Sequence, residues 1–151
     1  MAELLGAVAF PLLVAVSLFL AVRLLALASH TRRLPELAIG LNFLLAGAIG
    51  YALLIAAESL HVLGRYAGLG SFAGVTAISI GAFVLALFSQ RVFRPESRAS
   101  RAALAAVGVW LALGVAGSWS LHVAGETEGV GVWLGRWAPN LGMLLAYGWS
   151  S

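Results

Sequence analysis

Apolar runs of about 20 residues, the length a helix needs to cross a bilayer, recur along this chain, separated by short polar stretches. Such a helix rises about 30 Å, the thickness of the hydrocarbon layer. Backbone inside that layer has no water to bond, so it must pair its own N–H and C=O groups, as a helix or as a closed barrel. Barrel strands alternate apolar and polar residues with a period of two, and no such alternation runs through these segments. The chain therefore reads as all-α: a polytopic transmembrane helical bundle forming a single transmembrane domain, residues 1–151. Composition agrees, because 62% of residues are hydrophobic and only 10% charged, too little polar surface to cover a water-soluble domain of this size.

Five spans are expected, roughly residues 4–27, 37–57, 71–88, 102–122 and 130–149. Pro35 suits the first turn of the second. The first is not expected to be a cleaved leader, because no cation precedes it and the run exceeds the apolar core of a signal peptide. Arginine is distributed loop by loop. Arg32 and Arg33 follow the first span, and Arg91, Arg94, Arg98 and Arg101 follow the third. Only Arg65 follows the second, and the stretch after the fourth holds Glu126 and Glu128 with no cation. Positive charge marks the cytoplasmic side, so loops one and three are expected there and the N-terminus outside. The third-loop arginines are also candidates for contact with anionic lipids. An odd number of spans ending in "LLAYGWSS" without a basic tail suggests the front part of a six- or seven-helix protein, with further helices or an output domain after residue 151.

Residue usage narrows the chemistry. The chain has no Cys; all nine cations are Arg and all six acids Glu. Thiolate metal sites, Cys nucleophiles and lysine Schiff bases are excluded for these residues. The net charge of +3 is no argument for nucleic acid, because the arginines cluster where membrane topology already places them. No GxSxG, HExxH, phosphate-binding loop or dinucleotide fingerprint occurs in context. The expectation is a non-enzymatic protein with no resident cofactor and no nucleic-acid partner.

Small residues recur at four-residue spacing, the pattern by which membrane helices approach closely. Gly108, Ala112, Ala116 and Ser120 share a face of the fourth span; Ala73, Ala77 and Gly81 share one of the third. Gly131 and Gly135 begin a ladder in the fifth, continued by Ala138, Gly142 and Ala146.

The polar residues within or beside the spans are the material for any site. Asn42 lies about a turn and a half into the second span, where its amide needs a partner: interhelical hydrogen bonding or a ligand path. Arg136 lies about 9 Å inside the fifth span and is expected either to pair with Glu58, Glu126 or Glu128, or to face a wet outward cavity bounded by spans two, four and five. Asn140, one turn further and next to Pro139, could share that face, so Asn42, Arg136 and Asn140 are the candidate ligand-binding residues. Glu58 and His61 sit three apart on one helix face, and His122 falls on the same side at similar depth. Glu58, His61 and His122 could hold a metal or haem, or could simply mark the wet ends of their spans.

The stretch "TRRLPELAIGLNFLLAGAIGYALL", residues 31–54, resembles a segment of uncharacterised multi-spanning inner-membrane proteins of Gram-negative bacteria with about seven helices. The resemblance implies a bacterial inner (cytoplasmic) membrane location and helices beyond residue 151; it brings no activity or ligand with it. The functional expectation is a small-ligand sensing or transport module, with a metal- or haem-binding redox subunit using the outer-face His and Glu as the alternative.

Overall fold

A computed structural model of the chain describes residues 2–58, 66–93, 97–125 and 127–150. Among these, every long element is a helix, and there is no strand. Helix α1 is Ala2–Thr31. Helix α2 is continuous but changes pitch: Leu34–Asn42 is α-helical, Phe43–Gly50 π-helical and Tyr51–Glu58 α-helical again. Helices α3, α4 and α5 are Ala67–Phe93, Arg98–His122 and Val130–Ser150. The helices outrun most of the spans drawn from the sequence, because a helix has no reason to stop at the hydrocarbon boundary when its next residues remain good helix formers.

Four of these helices contain stretches long and apolar enough to cross a membrane, at Val8–Thr31, Leu34–Ala57, Ala67–Phe93 and Arg98–His122. Helix α5 matches the fifth expected span in position, but Arg136, Pro139, Asn140 and its glycines leave it less apolar than the other four.

The helix ends follow from local chemistry. The chain turns from α1 into α2 within two residues. Arg32 takes the left-handed conformation, φ 54°, and its N–H donates to the carbonyl of Ala28 at 2.8 Å, closing the last turn of α1 as a C-cap does. Pro35 then falls in the first turn of α2, where its missing N–H costs nothing. Ser97 caps α4: its Oγ accepts from the N–H of Ser100 at 3.3 Å. Between α4 and α5 the chain turns with positive φ at Gly125 and Gly129, conformations that glycine adopts without a side-chain clash.

Helix α3 is central, packing against all three segments of α2 and against α4 and α5. Among the described residues, helix α1 makes its substantial contacts with α2. Small residues set each close approach. On α1, Ser17, Ala21 and Ala28 are buried; Ser17 meets Gly47, and Leu24 and Leu25 meet Gly40. Between α2 and α3, Gly50 lies against Gly74 and Ile78, and Gly81 against Ala46 and Asn42. Between α4 and α5, Gly117 meets Gly131 and Gly135, Gly114 meets Pro139, and Leu111 meets Gly142. In all three pairs one residue number rises as the other falls, so the neighbours are antiparallel. The core where α3, α4 and α5 converge is made of Ala82, Ala86, Val107, Leu111 and Ala146, with Phe83, Leu104 and Met143 against it. Phe72 and Trp119 stack edge to face at 5.1 Å between centroids, tying α3 to α4.

The fifth-span ladder packs as the sequence suggests: Ala138 and Ala146 are fully buried, and Gly135 and Gly142 face α4. The fourth-span ladder does not. Ala112 and Ala116 are exposed, and α4 instead turns Leu111, Gly114, Gly117 and Ser118 inward. On α3, Ala77 and Gly81 are buried but Ala73 is exposed.

Candidate functional site

A crevice of about 180 Å³ opens among α2, α3 and α5. Tyr51 and Leu54 line it from α2, Val75 and Ile78 from α3, and Gly135, Arg136, Pro139, Asn140 and Met143 from α5. A crevice thus lies beside Arg136, but its third wall is α3 rather than the expected α4. Helix α4 instead meets α5 through close contacts at Gly131, Gly135 and Pro139.

The polar groups of the crevice have separate origins. Tyr51 is the first residue after the π-helical segment. Its N–H donates to the carbonyl of Ala46, five residues back rather than four, and the wider turn sets the angle at which Tyr51 leaves the helix axis. Pro139 has no N–H to donate, which releases the carbonyl of Gly135 from the α-helical ladder, and Gly135 itself lines the crevice. The Nδ2 of Asn140 donates to the carbonyl of Arg136 at 3.1 Å. Arg136 then brings a planar fork of five N–H donors. Among the described residues it forms no ion pair. Two of its expected partners, Glu126 and the side chain of Glu58, lie outside the described residues; the third, Glu128, is exposed. Trp133 and Trp137 flank Arg136 in sequence and are also exposed, at 53% and 56%, as suits aromatic residues at a membrane boundary.

Asn42 does not line the crevice. It sits deeper along α2, where its Oδ1 accepts a hydrogen bond from the hydroxyl of Tyr147 at 3.2 Å and lies beside Gly81. The amide is an interhelical tie between α2 and α5, made possible because Gly81 leaves room for it. Removing this tie is expected to cost about 1 kcal/mol, the scale of such bonds between membrane helices. Tyr147→Phe and Asn42→Leu, singly and together, would be compared by equilibrium unfolding in detergent. Losses that simply add would show that the two groups do not act on each other.

His122 is half-buried at the end of α4, its backbone against Gly68 of α3. The expected metal or haem set is not assembled on the described residues: His61 and the side chain of Glu58 lie outside them, and no group of three or more His, Cys, Asp or Glu able to hold a metal occurs among the rest. Arg91, Arg98 and Arg101 are exposed, and Arg94 lies outside the described residues. Sequence reasoning missed Tyr51 and Tyr147. Neither stands in a motif, although Tyr147 falls near the depth of Asn42 when the two spans are laid antiparallel. Comparison with protein-family models, with curated proteins and with solved structures yields no match to this chain, so its function is read from the geometry of the bundle and its crevice.

Proposed function

We propose that this chain is a non-enzymatic, multi-pass module of a bacterial inner membrane that takes a small anionic ligand, for sensing or transport, into the crevice at Arg136. The observation that carries the reading is an exposed arginine that lines a small crevice together with Tyr51, Gly135 and Asn140, and forms no ion pair among the described residues. A cation within a membrane helix normally pairs or faces a wet path. The Arg fork matches the two oxygens of a carboxylate or of a small oxyanion, and the Gly135 carbonyl and Tyr51 hydroxyl can accept or share a ligand proton. The volume, about 180 Å³, favours a ligand of a few heavy atoms over a drug-sized one.

The test is a thermal-shift screen of the purified protein against acetate, lactate, succinate, phosphate and sulfate. One or more of these should raise Tm through preferential binding to the folded state. Arg136→Lys should weaken that binding about tenfold, because the bidentate geometry is lost while the charge stays. A screen with no stabilising anion, or a shift that survives Arg136→Leu, would remove the reading.

Orientation is tested separately. Reporter fusions after Arg33 and Arg98 should read cytoplasmic, and fusions after Gly68 and Gly125 external, as the alternation of arginine between loops requires. The reverse pattern would turn the crevice to the cytoplasmic side.

A further inference from the structure

We propose that the groove between α2 and α3, at the arginine-bearing end of the bundle, holds one anionic phospholipid, with an acyl chain in the groove and the headgroup phosphate on Arg91. The groove encloses about 280 Å³. Its α2 wall runs from Leu34 to Leu41 and its α3 wall from Val84 to Arg91. Each wall covers about 10 Å of helix rise. Because α2 and α3 are antiparallel, Leu34 and Arg91 stand at the same end, and Leu41 and Val84 at the other. Ala38, 7% exposed, keeps the groove open by being small.

Arg91 is the one charged residue among those lining the groove, and it is exposed at the mouth, in the last turn of α3. The order of chemistry along the groove, hydrocarbon walls and then a guanidinium, is that of a phospholipid read from tail to phosphate. Arg32, Arg33, Arg98 and Arg101 are exposed at the same end, which favours a headgroup of net negative charge over a zwitterionic one, whose ammonium would meet like charge. Glu36 does not oppose this. It stands one turn before Gly40 on the face of α2 that packs on Leu24 and Leu25 of α1, and its Oε2 is buried.

The experiment is native mass spectrometry of the delipidated full chain, titrated with phosphatidylglycerol and, separately, with phosphatidylcholine. One phosphatidylglycerol should be retained in preference to phosphatidylcholine. Arg91→Gln should weaken that binding about fivefold, equivalent to about 1 kcal/mol. Leu37→Trp, which fills the groove from a position already 42% exposed, should weaken it as well; if that variant loses its helical circular dichroism, Val84→Phe takes its place. The double change Arg98→Gln with Arg101→Gln removes two charges from the same end without touching the groove, and should leave the preferred lipid bound. Equal retention of the two lipids overturns the proposal. So does equal weakening by the Arg98/Arg101 double change and by Arg91→Gln, which would show a diffuse basic surface, or full binding in the filled-groove variant, which would show a headgroup contact alone. Arg136→Leu, at the other end of the bundle, should leave the titration unchanged, so the fate of this site is independent of the anion crevice.

Discussion

Gly117→Ala is expected to break the pairing of α4 and α5. A β-carbon at Gly117 would stand 2.7 Å from the carbonyl oxygen of Gly131 and 2.8 Å from the carbonyl carbon of Leu134, with the Gly135 nitrogen closer still. All three are backbone atoms, so no flexible side chain can move aside and the helices themselves must separate. Separation would also loosen Gly114 from Pro139 and Leu111 from Gly142, contacts that stand in for the hydrophobic drive absent between helices in lipid. The loss should reach about 3 kcal/mol, the upper range for overpacking, and Gly117→Leu should fail to accumulate in the membrane. Ala112→Leu is the matched control: it enlarges an exposed residue of the same helix and should change stability by less than about 0.5 kcal/mol. Equilibrium unfolding of both variants in detergent decides the matter. Equal losses would mean that α4 presents a different face to α5.

Deleting Leu44 from the π-helical segment is expected to leave the bundle standing, whereas deleting Leu85 from α3 should abolish it. In an α-helix each residue advances the chain by about 100°. Without Leu85, everything beyond it turns by that angle, and buried Ala86, Ser89 and Gln90 swing off the packed face. The π segment closes its turns over five residues, as the bond from Tyr51 to Ala46 shows. Removing one residue lets the turn close over four, as in the flanking α-helix, and much of the rotation is absorbed. Leu44 is itself only half-buried, so little packing goes with it. Size-exclusion profile and Tm of the two deletion variants would be compared. Equal damage from both would show that the wide turn holds no slack.

Much of the architecture was legible in residue order. Hydrocarbon admits few backbone solutions, so apolar length alone points to helices. The ladder from Gly131 through Ala146 pointed to a packed face because only small residues let backbones meet. The fourth-span ladder misled for the same reason. Glycine and alanine are nearly as small as each other, and spacing cannot say whether Ala112 or Gly114 faces the partner. The walls of the Arg136 crevice were half legible. A guanidinium within an apolar helix calls for a partner or a cavity, but which helix supplies the third wall depends on neighbour order in the membrane plane, which chain order does not encode. The π segment was illegible because it is a hydrogen-bond register, not a side-chain pattern.

The position of α3, with substantial contacts to α2, α4 and α5 among the described residues, gives the bundle an uneven tolerance to change. An altered residue on the inward face of α1 is felt chiefly by α2. An altered residue at Ala82 or Ala86, both fully buried, is felt by α4 and α5 together, and through the contacts of α3 with the α2 segment that carries Tyr51 it reaches the crevice as well. Sequence drift should therefore be permitted on the rim and punished at the hub. The gradient runs outward from α3 across the plane of the bundle, not from one end of the chain to the other.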